Sequence, residues 1–123
     1  MAVSMSMPIL IVDDYNTMIR ILRNLLRQLG FTNIEEASDG GAALAKLQAK
    51  QYALVISDST MAQMSGSELL ERVRAEDRNR ATPFVMVATD EDDGERVEEC
   101  AVIHRPFNAQ TLKSNLVSVL GAF

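Results

Sequence analysis

Cysteine is nearly absent: Cys100 is the only one in the 123 residues, which excludes an internal disulfide and a cysteine-ligated metal cluster. Long apolar runs are missing too, and none approaches the roughly 20 residues of a membrane-spanning helix. The opening Met-Ala-Val-Ser-Met-Ser-Met has neither the basic flank nor the apolar core of a secretory signal. These absences point to a cytoplasmic location and no membrane partner. Repeats, low-complexity tracts and linkers are lacking as well. One domain over residues 8–123, preceded by a tail at 1–7 and functioning as a monomer, is the expected organisation. That length suffices for one buried core and not for two.

Positive charge is scarce. The chain carries 12 Lys and Arg against 17 Asp and Glu, a net charge of −5. The deficit is local: residues 90–99 hold Asp90, Glu91, Asp92, Asp93, Glu95, Glu98 and Glu99 against Arg96 alone, so the remainder is close to neutral. A nucleic-acid binder would present a basic stripe. None is visible, and nucleic-acid binding is disfavoured.

What the chain does have is an alternation of apolar runs and helical patterns. The central run, Ala53-Leu-Val-Ile-Ser57, ends in Asp58. Continuous apolar runs of this length fit strands covered on both faces. Pro8-Ile-Leu-Ile-Val12 is a second, ending in Asp13-Asp14, and Pro83-Phe-Val-Met-Val-Ala-Thr89 is a third. Two weaker runs, Asn33–Ala37 and Ala101–His104, suit sheet edges; the latter leads into Arg105-Pro106-Phe107. Between them lie helical patterns. The first puts Met18, Ile21, Leu22, Leu25, Leu26 and Leu29 on one face, with Gly30 as its stop. Short helices follow Asp39-Gly40-Gly41 and Ser65-Gly66-Ser67-Glu68, and Asn108 can cap the last helix, with Leu112, Leu116, Val119 and Leu120 inward.

Five such β-α alternations give an α/β chain of the flavodoxin-like (βα)5 type: a three-layer sandwich around a parallel five-stranded sheet in the order 2-1-3-4-5. In this topology Asp13, Asp14, Asp58, Thr89 and Arg105 all emerge at the carboxyl end of the sheet, where ligands of open α/β sheets collect. Asp13 and Asp14 could instead cap the helix that follows them, although two adjacent acids exceed what a cap requires. Three clustered carboxylates repel one another and suit a shared hard cation such as Mg²⁺. A carboxylate can also attack phosphorus to give an acyl phosphate. The residues therefore point to a metal-assisted phosphoryl acceptor at Asp58.

The motifs Ile9-Leu-Ile-Val-Asp13-Asp14, Leu29-Gly30-Phe31, Glu36-Ala-Ser-Asp-Gly40, Asp58-x-x-Met61 with Met64-x-Gly66, and Arg105-Pro106-Phe107 occur in order. In this the chain resembles receiver domains of bacterial two-component systems, of the single-domain chemotaxis type, over roughly residues 8–120. The resemblance implies that Asp58 accepts a phosphoryl group from a sensor histidine kinase. It implies Mg²⁺ held by Asp13, Asp58 and the Thr60 backbone carbonyl, with Asp14 acting through a metal-bound water. It implies a non-enzyme signalling role beyond self-phosphorylation and autodephosphorylation. It also implies a cis Arg105–Pro106 peptide, and a downstream protein partner met through the fourth helix, fifth strand and last helix.

The departures from that pattern carry information. Ala88 stands where the family has a phosphate-sensing Thr or Ser, with a hydroxyl only at the next residue, Thr89. Arg105 replaces the lysine that pairs with the phosphoryl group, Val102 the switch aromatic, and Ala62 a proline. The segment from Ala88 to Arg105 is short, so residues 90–99 are expected to hold a curtailed or disordered fourth helix. Coupling between phosphorylation and switching should accordingly be weak. The alternative is a pseudo-receiver, an adaptor or ligand-binding module whose output does not depend on phosphorylation.

Two other classes fit less well. A flavin-binding protein needs a hydroxyl-rich phosphate loop where Asp13-Asp14 stands, and an aspartyl phosphatase carries a second Asp where this chain has Thr60. His104 is expected to be a partly buried structural residue, Cys100 and the methionines Met18, Met61, Met64 and Met86 packing residues. Arg72, Arg74, Arg78 and Arg80 read as a solvated face.

Overall fold

A computed structural model describes residues 3–88 and 100–123. Thr89 and the acidic stretch 90–99, with the expectation of a curtailed fourth helix there, lie outside the described residues. Five strands form one parallel sheet: β1 (Ile9–Val12), β2 (Ile34–Ala37), β3 (Leu54–Asp58), β4 (Phe84–Ala88) and β5 (Ala101–His104), in the order β2-β1-β3-β4-β5. The described helices are α1 (Asn16–Gln28), α2 (Gly40–Ala49), α3 (Gly66–Ala75) and α4 (Ala109–Leu120), with one 3-10 turn at Asp77–Asn79. None of them is long and apolar enough to cross a membrane.

The strands explain their own composition. Side chains alternate between faces, so Ile9, Ile11, Leu54, Ile56, Val85 and Val87 pack with α1 and α4 on one side. Leu10, Val12, Val55, Phe84 and Met86 pack with α2 and α3 on the other. The central strands are accordingly apolar throughout, except for the buried Ser57 and Asp58 that end β3. The edge strand β2 is only half-buried, and its carboxylates are paired at the rim: Glu36 with Arg23, Glu35 with Lys50 and the Tyr52 hydroxyl.

Helix α1 departs from expectation in one respect. Its buried stripe is Ile19, Leu22 and Leu26, while Ile21 is exposed. Its end is the stop that Gly30 signalled. Gly30 takes φ +109°, its N–H donates to Arg27 O, and Phe31 N–H donates to Leu26 O, the paired bonds of a Schellman termination. Residues 3–7 lie against this turn: Met5 O accepts from Thr32 N–H at 2.9 Å, and Val3, Met5 and Met7 touch the core.

Of the arginine run, Arg72, Arg78 and Arg80 are exposed as expected, and Arg74 is half-buried. Arg74 donates to the carbonyls of Asn79 and Thr82 at 3.1 and 2.7 Å, and Arg78 to Gln48 O at 3.0 Å. These bonds hold the 3-10 turn that feeds β4. His104 is exposed rather than partly buried.

Candidate acidic site at the carboxyl end of the sheet

Strand register builds the site. Val12 pairs with Ser57, and Asp58 with Val87, so the residues after Val12 and after Ser57 leave the sheet side by side. Asp13 and Asp58 are buried, Asp14 is exposed, and one carboxylate oxygen of each lies within 4.8 Å of the others. Neither Asp13 nor Asp14 caps α1, whose N-cap is Tyr15 without a side-chain bond. Asp13 Oδ1 instead accepts from Tyr15 N–H at 2.9 Å, and Asp14 Oδ2 from Ala62 N–H at 3.0 Å. The capping alternative for these two acids is thereby removed.

The Ser59 and Thr60 amides and the Arg105 guanidinium face the Asp58 carboxylate. Thr60 N–H approaches Oδ1 at 3.4 Å and the Arg105 guanidinium approaches the same oxygen at 3.3 Å. Burial is the largest force on both buried acids. It pushes Asp13 up to about 6, reinforced by Asp58 and Asp14 and opposed by the Tyr15 amide and Arg105. Burial raises Asp58 as well, against the Thr60 amide and Arg105, with the charge of Asp14 adding to the rise. Among the described residues, two buried polar atoms here have no hydrogen-bond partner: Asp13 Oδ2 and Arg105 Nε. One is an acceptor and the other a charged donor's N–H, so the site wants both a cation and further anionic oxygens.

The neighbourhood is shaped by close packing. A Cβ on Gly66 would lie 2.3 Å from Asp58 O and 2.4 Å from Met86 Sδ, and Gly66 N–H donates to Ser59 O at 3.0 Å. The first residue of α3 therefore presses on the strand exit that carries Asp58, and only glycine fits. Ala88, at the end of β4, is buried, and its carbonyl accepts from Arg105 N–H at 2.8 Å. The Arg105–Pro106 peptide is cis. Of the residues singled out from sequence, Asp13, Asp14, Asp58 and Arg105 are brought together and Thr60 adjoins them. The Ala62 amide and the Gly66 approach were not foreseen. Both are backbone effects, and their only signals were a non-proline at 62 and the Met64-x-Gly66 spacing.

Comparison with known families matches residues 9–116 to the response regulator receiver domain. The chain belongs to that family. Chemotaxis protein CheY of Pseudomonas aeruginosa is 40% identical to this receiver over 118 residues, covering 92% of this chain and 95% of the relative. The solved structure of chemotaxis response regulator CheY4 of Vibrio cholerae matches with a TM-score of 0.83 at 30% identity, over 94% of this chain and 99% of that one. The receiver domain of a sensor histidine kinase from P. aeruginosa, solved with magnesium coordinated in its active-site cleft, has a TM-score of 0.84. At 20% identity, over 95% of this chain and 99% of that one, it speaks for the fold. The chain is thus a CheY-like receiver, with the flavodoxin-like order expected from its sequence.

Proposed function

We propose that this receiver accepts a phosphoryl group on Asp58 from the histidine of a sensor kinase, in a chemotaxis-like two-component pathway, and passes the signal on by protein–protein contact. The observation that carries this reading is the trio of carboxylates within 4.8 Å beside a guanidinium. Asp58 ends β3 beside the other two carboxylates, which favours it as the attacking carboxylate. In the transfer an Asp58 oxygen forms a bond to phosphorus, the P–N bond to the donor histidine breaks, and the electron pair leaves with the imidazole nitrogen. Arg105 neutralises charge on the phosphoryl oxygens.

The donor set fits Mg²⁺: hard carboxylate oxygens, and a buried Asp13 Oδ2 that has no partner of its own. Asp13, Asp58 and the Thr60 carbonyl are assigned to hold the ion and Asp14 to reach it through water. A receiver of the same fold was solved with magnesium in its active-site cleft. Bound there, the ion supplies the positive charge that three adjacent carboxylates and an incoming phosphoryl group require. Titration with Mg²⁺ should shift the amide signals of residues 12–15 and 57–61, and Asp13→Asn should weaken binding more than Asp14→Asn. Unmoved signals at millimolar Mg²⁺ would remove the metal from the account.

The output is read differently from the input. Ala88 offers a buried methyl where a donor would report the new phosphoryl oxygens, which favours an output weakly tied to phosphorylation. A cytoplasmic, monomeric protein is proposed, meeting a basic partner through its acidic 90–99 segment together with β5 and α4.

A further inference from the structure

At the end of the sheet opposite the carboxylates, the chain encloses a cavity of about 370 Å³. Separate segments wall it: the tail through Met7, the turn into β3 through Tyr52, the turn into β4 through Thr82 and Pro83, and the end of α4 through Val119 and Leu120. A volume of this size with largely apolar walls is characteristic of small-molecule sites. Tyr52 adds its ring to the wall, its hydroxyl being bonded to Glu35 Oε1 at 2.7 Å.

Two polar groups of the lining are unmatched. Thr82 is 4% exposed, and its Oγ1 has no hydrogen-bond partner among the described residues. A buried polar atom without a partner is rare enough to require an explanation. Arg78 is exposed at the rim and is positioned there by its Nη1, which donates to Gln48 O at 3.0 Å. The acids beside it in sequence are engaged elsewhere: Asp77 with Arg80, and Glu76 with the Gln48 side chain at 3.0 Å. Among the described residues no carboxylate pairs with Arg78, and none lines the cavity.

We infer that this cavity is a second site of the receiver, taking a small amphipathic carboxylate whose apolar body resembles a medium-chain fatty acid. The body lies against Met7, Tyr52, Pro83, Val119 and Leu120, and the carboxylate meets the Arg78 guanidinium, whose fork of donors matches two oxygens. The Thr82 hydroxyl supplies a further donor from within the wall. Charge decides the class of ligand: one cation and no acid in the lining favour an anion over an amine. The apolar wall favours a ligand with a hydrocarbon body over a fully hydrated ion such as free phosphate. None of these residues belongs to the acidic site, so the inference stands apart from the acceptor reading of Asp58.

Sodium octanoate supplies the probe, with 1-octanol as its uncharged counterpart and acetate as its headgroup alone. Each is titrated into the full chain at neutral pH while methyl, amide and Arg Nε–H signals are followed. Octanoate should shift the methyls of Met7, Val119 and Leu120 together with the Arg78 Nε–H in one saturable transition. 1-Octanol should move the same methyls with binding about threefold to tenfold weaker, the worth of a partly exposed charge-assisted contact, and acetate should move none. Arg78→Gln should bring octanoate down to the affinity of the alcohol, whereas Arg78→Lys should keep part of the difference. Equal binding of acid and alcohol by the parent, or of octanoate by the parent and Arg78→Gln, would overturn the carboxylate assignment. Methyl signals that stay still at millimolar octanoate, or amides of 57–61 that move in their place, would overturn the cavity as a ligand site. Shifts of the same methyls on raising the protein concentration alone would assign this face to a second copy of the chain and overturn the inference.

Discussion

Asp13 is the residue on which stability and function pull in opposite directions. Its carboxyl is buried, leaves Oδ2 unpaired, and has its pKa pushed up to about 6. A folded-state pKa above the unfolded one means that the folded protein holds the proton more tightly. The stabilisation is full below the ordinary carboxylate range and is lost as pH rises through about 6. At neutral pH the metal-free protein then carries a charged Asp13 at a cost on the order of 2–3 kcal/mol. Asp13→Asn should raise the melting temperature of the metal-free protein at pH 7. It should also flatten the gain in stability that the parent shows between pH 7 and pH 5, read by thermal melts across that range. A variant less stable than the parent at pH 7 would mean that Asp13 is stabilised by something other than a cation.

Among the elements, α3 is the one most tightly tied to the site. Its first residue, Gly66, lies against Asp58 O and Met86 Sδ with no room for a methyl group. Gly66→Ala should cost about 1–3 kcal/mol through overpacking and weaken Mg²⁺ binding by displacing the strand exit. Melting and magnesium titration check the two parts separately. This contact also marks the limit of what sequence could disclose. The strands were legible because a sheet covered on both faces demands apolar side chains at every position, as in Ile9–Val12 and Leu54–Ile56. The cap at Asn108 was legible from its residue type, and its side chain accepts the N–H three residues on, as those of Asp39 and Ser65 also do. Helix α1 was legible in extent and only partly in rotation. Ile21 carries the right chemistry for the core and sits a third of a turn outside it, while Ile19 takes the inner place. The acids of the site were identifiable as strand-end residues. The Ala62 amide on Asp14 was not, because a backbone donor contributed by a distant loop leaves no mark in side-chain pattern.

At the scale of the whole molecule, the sheet gathers three carboxylates and Arg105 at one end, while the positions proposed to transmit the signal carry no polar side chain. Ala88 has no hydroxyl, and Val102 on β5 is a half-buried aliphatic residue. A modification shifts a conformational equilibrium only by its differential contacts with the two states. On the proposed reading, the missing hydrogen bond, worth about 1.5–3 kcal/mol when charge-assisted, would lower the bias toward a switched state by roughly tenfold to a hundredfold. Amide spectra with and without beryllofluoride should show changes confined to the site, and Ala88→Thr should extend them to Val102 and α4. Large shifts at Val102 and α4 in the parent chain would contradict weak coupling. The central claim, that Asp58 is the acceptor, is tested most directly by intact-mass measurement after incubation with acetyl phosphate. With Mg²⁺ present the parent chain should gain the mass of one phosphoryl group, and it should gain none with magnesium chelated or with Asp58→Asn. A parent chain that stays unmodified, or an Asp58→Asn chain that gains the same mass, would contradict it.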